Sequence, residues 1–256
     1  MIEKDLIFDL GLYEGQDSRF YLDKGFRVVA VEAHPEYARL ARKAFAREIN
    51  EQRFRLVERA VWIDEDRTIT FHMQGAQSSA FKEAADLNGP STPVECRTTT
   101  LNQLIRAHGT PYYLKVDIEG ADQIVVDQLH ALGRKPPYLS IETDQPRAIS
   151  DLAALGYSQF QIVNQEYHWT TREPYPAREG SRAGTKLDGN FTGLFGRELD
   201  PRFWLSADAA IMELQKRADI LRSGWMRKQL YRRYGKATGR RWLVPQGWTD
   251  VHARLV

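Results

Sequence analysis

"DLIFDLGLYEGQDSRFYLDKGFRVVAVEAHP", residues 5–35, holds two short apolar runs, the first ending in Asp-x-Gly-x-x-x-Gly and the second in a lone acid. Both runs, "LIFDL" and "RVVAVEA", are apolar on both faces, as strands of a parallel sheet covered by helices must be. Asp9 closes the first strand, Gly11 lets the chain turn tightly, and Gly15 permits close approach as a helix begins at about Gln16. Glu32 stands at the end of the second strand, and His34-Pro35 then opens another helix. This pattern predicts a doubly wound sheet with a ligand at the carboxyl ends of its strands.

The kind of ligand follows from what the turn lacks. A dinucleotide fold places its pyrophosphate on a G-x-G-x-x-G turn, and that pattern is absent here. Asp-x-Gly-x-x-x-Gly suits a ligand without a phosphate there, whose ammonium could pair with a carboxylate such as Asp9. A strand-end acid such as Glu32 can accept hydrogen bonds from both hydroxyls of a ribose. The blander alternative is a structural turn followed by a solvated carboxylate.

The same rhythm runs onward. "FRLVERAVW", "YYLKVDI", "PYLSIET" and "FQIVN" read as further strands, and "EYARLARKAFAREI" and "ADQIVVDQLHAL" as helices with apolar residues at three-to-four spacing. Residues 63–99 read as an inserted strand pair and loop over the strand ends, and residues 165–190 as a long lid-like loop. The chain has 256 residues, 42% of them hydrophobic, and a net charge of +2, too balanced to argue for a nucleic-acid partner. Cys96 is the single cysteine, which excludes an intrachain disulfide and a thiolate metal cluster and fits a reducing cytoplasm. The N-terminus does not read as a signal peptide, and no apolar run reaches the roughly 18 to 20 residues that span a bilayer.

"YYLKVDIEGAD", residues 112–122, puts Lys115, Asp117 and Glu119 on one face of a strand whose other face is apolar. Charges in that position need partners or a function. They are read either as groups bordering the ligand crevice or as a Lys115–Asp117 ion pair at its rim.

With these blocks in view, the chain resembles the FkbM family of S-adenosylmethionine-dependent methyltransferases. The stretch quoted first, then "RAVW", "SSAF", "TTTLNQLI", "YYLKVDIEG" and "PYLSIE", look like that family's successive blocks, and "LGYSQFQIVNQ" and "FTGLFG" are similar to its later strands. The resemblance covers roughly residues 5–200. It implies an α/β fold, the class I methyltransferase (Rossmann-like) seven-stranded sheet with helices on both faces and its last strand antiparallel. It also implies O-methylation of a hydroxyl on a sugar, glycan or other natural product, with S-adenosylhomocysteine as the product. By position, Asp9, Gly11 and Gly15 would line the methionine part of the cofactor, Glu32 the ribose, and Ala60 and Val61 the adenine, with Tyr13, Ala33, His34 and Asp117 also counted as cofactor-binding and Asp117 and Glu119 near the reacting centre. Leu12-Tyr13-Glu14 departs from the small and polar residues usual between the glycines.

A sulfonium methyl is already an activated electrophile, so the protein must align a hydroxyl in line with it, exclude water and take the proton. Asp117 is the expected base, with Lys115 tuning it or holding substrate; His72 is the runner-up if the inserted strand pair folds over the site. No metal is expected, because no dedicated cage is visible. Ser79 and its neighbour Ser78 are candidate hydrogen-bond donors. His168, with Tyr167 and Trp169, is a candidate to stack on a sugar ring or simply to close the core, and Trp248, Asp250 and His252 are candidate substrate contacts, against the plainer role of a terminal docking segment.

The methyltransferase domain is expected to span 1–199, with a C-terminal helical extension over 200–256. Residues 216–241 carry ten Lys and Arg against one acid, Asp219. Such a stretch attracts phosphates or anionic lipid headgroups, and we read it as gathering an anionic or lipid-linked substrate through Arg232, Arg233, Arg240 and Arg241. Two other readings stand beside the methyltransferase: a nicotinamide-dependent oxidoreductase, and a non-catalytic polyanion- or membrane-binding module on the same fold.

Overall fold

The computed structural model describes residues 1–255. Seven strands form the main sheet in the order β3-β2-β1-β7-β8-β10-β9, and three more form a small sheet in the order β4-β6-β5. This is the expected α/β, class I methyltransferase architecture. Its contacts group the chain into two compact units, 1–137 with 180–183, and 138–179 with 184–255.

In the first unit, β1 (Ile2–Leu10), β2 (Arg27–Val31), β3 (Phe54–Val57) and β7 (Thr110–Val116) run parallel. Leu6 to Leu10, Val28 to Val31 and Tyr113 to Val116 are all buried. Burying one Val, Leu, Ile or Phe side chain contributes about 1.5–3 kcal/mol, so these runs drive the layer. Helices α1 (Gln16–Asp23), α2 (Pro35–Ala44), α3 (Ala46–Asn50), α5 (Leu101–His108) and α6 (Asp122–His130) connect the strands. Local chemistry sets their starts. Pro35 opens α2, whose cap His34 accepts the Glu36 N–H at Nδ1, and Thr100 caps α5 by accepting the Gln103 N–H.

"FRLVERAVW", read as one strand, is two. The chain turns at Glu58-Arg59, and β4 (Ala60–Val61) leaves the main sheet to pair with β6 (Thr92–Thr99). The inserted strand pair is present: β5 (Thr68–Met73) runs antiparallel to β6, with the short helix α4 (Lys82–Ala85) in the connection.

In the second unit, β8 (Tyr138–Glu142) and β9 (Gln159–Asn164) flank β10 (Thr249–Arg254), which runs antiparallel to both. The antiparallel strand therefore comes from the segment read as a helical extension. The rest of that segment is helical, in α8 (Ala207–Arg222) and α9 (Trp225–Thr238), and α7 (Pro146–Ala154) packs on α8. "FTGLFG", similar to a family strand, is not one here. Gly193 and Gly196 sit at φ 91° and 59°, outside extended backbone, and the segment packs as a buried irregular stretch with Phe191, Leu194 and Phe195 inward.

Candidate active site

In the first unit, the carboxyl ends of β1 and β7 converge on one buried ammonium. Lys115 Nζ lies 3.1 Å from Asp9 Oδ1, 3.4 Å from Asp117 Oδ2 and 3.7 Å from Asp17 Oδ2, and donates to the Gly11 carbonyl at 2.8 Å. Burial alone would lower its pKa, but Asp9, Asp117 and Asp17 together push it well above the ordinary lysine value. Asp9 is sealed from solvent and also accepts the Ser18 hydroxyl at 2.6 Å, whereas the Asp117 side chain keeps 28% of its surface open. Asp9 thus acts through Lys115, and Asp117 is the member of the cluster that a ligand can reach.

Gly11 is required by the protein itself. Its φ is 87°, and a Cβ there would overlap the Asp117 backbone carbonyl, so the β1 and β7 turns touch at this point. Gly15 caps α1 against the Phe45 ring. Between them, Leu12 is a buried core plug and Tyr13 takes a left-handed φ of 53°, which gives the unusual residues between the glycines a structural role.

Glu32 holds this turn. Its Oε2 accepts the Tyr13 N–H at 2.8 Å and its Oε1 the His34 N–H at 2.7 Å, so one carboxylate ties the β1–α1 loop to the start of α2. Tyr37 packs on both neighbours, with ring centroids 4.8 Å from Tyr13 and 4.5 Å from His34. Burial pushes the Glu32 carboxyl from 4.5 up to about 7, against the opposing pull of the two N–H bonds. A carboxyl whose folded pKa is raised holds its proton longer in the folded state, so its contribution to stability declines between about pH 4.5 and 7 and is flat above. The Tm of the wild type relative to Glu32→Gln should therefore fall across that window. A constant difference would contradict the assignment.

Past Val116 the strand alternation ends, and Asp117 and Glu119 lie in the turn before α6. Glu119 sits at φ 47°, and burial, then Asp117 and Asp122, raise its pKa to about 7. Asp122, which the sequence reading did not single out, accepts the Ile118 and Gly120 N–H groups at 3.1 Å each; burial brings its pKa to about 6. Its signal was the third acid of "DIEGAD". Asp17, Ser18 and Tyr37 were also missed, and nothing in their local sequence separates them from ordinary helix residues.

The insert closes on this turn. Ser79 is buried, its hydroxyl donates to the Glu119 carbonyl at 2.5 Å and accepts the Phe81 N–H, and His72 pairs with Ser79 backbone to backbone. Ser78 turns the loop by accepting the Gln74 N–H. Ala60 and Val61 are buried, and Ala60 packs with Phe71 and Cys96 against Ala33.

The other candidates lie in the second unit. Asp250 and His252 are buried on β10, and Asp250 accepts the Gln165 side-chain amide at 2.9 Å. His168 is buried beside Gly193, and burial lowers its pKa to about 4. Trp248 is exposed. A cavity of ≈ 620 Å³ in this unit is lined by His168, Gln161, Tyr167, Phe203 and four arginines, Arg172, Arg178, Arg202 and Arg241. Among the described residues, Gln161 Oε1 and His168 Nε2 are buried without a hydrogen-bond partner. The four basic-stretch arginines are separated: Arg240 binds Glu213, Arg241 the Thr170 hydroxyl, Arg232 the Tyr167 hydroxyl, and Arg233 is exposed. Among the described residues no group of three or more potential metal ligands is assembled.

A family model described as the methyltransferase FkbM domain matches residues 9–151. The chain belongs to the FkbM methyltransferase family, whose methyl donor is S-adenosylmethionine and whose product is S-adenosylhomocysteine. No curated protein matches. Among solved structures, the chain is similar to the C-terminal domain of precorrin-6Y C5,15-methyltransferase from Rhodobacter capsulatus, at 13% identity and a TM-score of 0.39, over 62% of this chain and 66% of that one. It is also similar to an O-methyltransferase from Bacillus cereus in complex with SAH, at 14% identity and a TM-score of 0.33, over 62% and 67%. A third is the [4+2]-cyclase SpnF, at 10% identity and a TM-score of 0.38, over 98% and 75%. The chain thus spans about two thirds of the length of the first of these.

The residues present fit that cofactor. Carboxylates outnumber the ammonium three to one around Lys115, which favours a cationic ligand, and each Glu32 oxygen has spent one acceptor site on a backbone N–H and keeps another for a hydroxyl.

Proposed function

We propose that the chain is an O-methyltransferase acting on a hydroxyl of a sugar, glycan or natural-product acceptor that carries a negative charge. The observation that carries the catalytic part is the turn after β7, where Glu119 is pressed among acids with a pKa of about 7, matched to proton removal near neutrality. Bound S-adenosylmethionine supplies an electrophilic methyl. The Glu119 carboxylate would take the proton of the acceptor hydroxyl as that oxygen receives the methyl. Asp117, held by Lys115, orients the reactants, Glu32 takes the ribose hydroxyls, and Tyr13, His34 and Tyr37 wall the nucleoside. Ser79 fixes the turn through the Glu119 carbonyl. His72 is the alternative base.

Taken by itself, the second unit's cavity carries groups that suit an anionic, hydroxylated ligand. Buried acceptor atoms on Gln161 and His168 suit hydroxyl donors, Arg172, Arg178 and Arg241 suit an anionic group while Arg202 is held by Asp200, and Tyr167 and Phe203 suit a ring.

Calorimetric titration of S-adenosylhomocysteine tests the cofactor site, with NAD as a control. We expect binding by the wild type, weakened by roughly 1–3 kcal/mol in Glu32→Ala, and no binding of NAD. Turnover against a panel of free and phosphorylated sugars then tests the chemistry. Glu119→Gln should lower kcat and abolish the rise of rate with pH near 7 while leaving S-adenosylhomocysteine affinity unchanged. A wild type that is folded but does not bind S-adenosylhomocysteine would sink the proposal.

A further inference from the structure

Helix α9, WMRKQLYRRYGKAT, carries five cations, Arg227, Lys228, Arg232, Arg233 and Lys236, and no acid. Its inner face is seated through Gly235, where a Cβ would press on Val244 and the Arg240 carbonyl. Its outer face exposes large apolar side chains among the cations. Trp225 is 73% exposed, Met226 79% and Leu230 64%, and Met226, Leu230 and Tyr234 follow one another at four-residue spacing along that face. Single exposed apolar residues are ordinary, but Met226 and Leu230 lie one turn apart on the same face and Trp225 is exposed at the same helix end, so large apolar side chains are concentrated there.

The cations frame this stripe. Arg227 and Arg233 lie beside it, both exposed, and neither is in an ion pair among the described residues. Arg227 and Lys216 instead lie over the Tyr231 ring, 5.9 Å and 5.6 Å from its centroid. Among the described residues no helix is long and apolar enough to cross a membrane, and the 14 residues of α9 are too few to span a bilayer.

We propose that α9 docks on an anionic lipid surface, with Trp225, Met226 and Leu230 entering the headgroup boundary and the surrounding arginines and lysines pairing with lipid phosphates. Charge complementarity selects this occupant: the helix has cations to match anionic headgroups, and Trp and Leu flanked by Lys and Arg are the composition of interfacial helices. A polyanion such as RNA would use the cations and the aromatic rings but give Met226 and Leu230 nothing to do. A second copy of the chain would bring its own five cations against these. The inference is independent of the methyl-transfer reading and holds whether or not the cofactor site is functional.

The test is sedimentation of the 256-residue chain with vesicles of phosphatidylcholine alone and of phosphatidylcholine mixed with phosphatidylglycerol. The wild type is expected to sediment with the mixed vesicles and not with the neutral ones. Trp225→Ser with Leu230→Ser, and separately Arg227→Gln with Arg233→Gln, should each lower partitioning by about tenfold or more. All four positions are exposed, so the folded state is checked by circular dichroism and S-adenosylhomocysteine titration of the same samples. Failure of the wild type to bind mixed vesicles overturns the proposal. So does binding that the Trp225 and Leu230 changes leave untouched, which would mark simple adsorption of charge. Preferential binding of a short RNA, or a dimer that those two changes dissociate, would assign the face to those partners instead.

Discussion

Lys115→Met should destabilise the protein by about 3–5 kcal/mol, the usual consequence of removing one member of a buried ion pair and leaving the other uncompensated. Here the ammonium is shared by Asp9, Asp17 and Asp117, and it also satisfies the Gly11 carbonyl, so its loss leaves like charges facing one another where β1 and β7 end. Urea denaturation at neutral pH measures the loss. Adding Asp9→Asn should recover part of it, because removing a carboxylate relieves the repulsion that Lys115→Met exposes, and the two changes should therefore be strongly non-additive. Simple additivity, or a Lys115→Met protein as stable as the wild type, would show that the cluster is not the electrostatic keystone of this turn.

Arg217→Met should have an effect of similar size for a different reason. The Arg217 side chain is buried in α8, and its two terminal nitrogens donate to four backbone carbonyls: Trp242 at 2.7 Å, Val244 at 2.6 Å, Gln246 at 3.3 Å and Gly247 at 2.6 Å. Asn164 donates to the same loop at Arg241, Val244 and Gln246. Orphaning a buried polar group costs about 1–3 kcal/mol, and several carbonyls lose their donor at once. We expect a loss of about 3 kcal/mol or more, with proteolysis opening first in the loop ahead of β10. Arg217→Lys should recover only part of it, since an ammonium has three donors and cannot serve four carbonyls at once. A Met variant of unchanged stability and protease resistance would overturn this account.

Arg217 also marks where sequence reading stops. It belongs to the ten-cation stretch, and nothing in its neighbours distinguishes a buried guanidinium that fastens a loop from the exposed Arg227 and Arg233. That distinction depends on carbonyls about thirty residues away, and no local pattern encodes it. The strands and turns of the first unit were legible because apolar runs and glycine positions are local signals. The Lys115 cluster was half legible: Lys115 and Asp117 stand in one motif, but Asp17 joins them only once α1 folds back. Glu58-Arg59 was not legible as a break, since charged residues also occur within strands. The residues 249–254 looked like a terminal segment because six residues show periodicity without showing which strands they will enter.

β10 has a further consequence, for the growing chain rather than the finished one. It enters between β8 and β9, yet Thr249 is made 85 positions after Asn164. At roughly 5–20 residues per second, the facing edges of those two strands stay without their partner for several seconds while α8 and α9 are translated. During that interval the second unit presents two unpaired backbone edges, and this is the period in which a chaperone, or a neighbouring nascent chain, has its best access to the molecule.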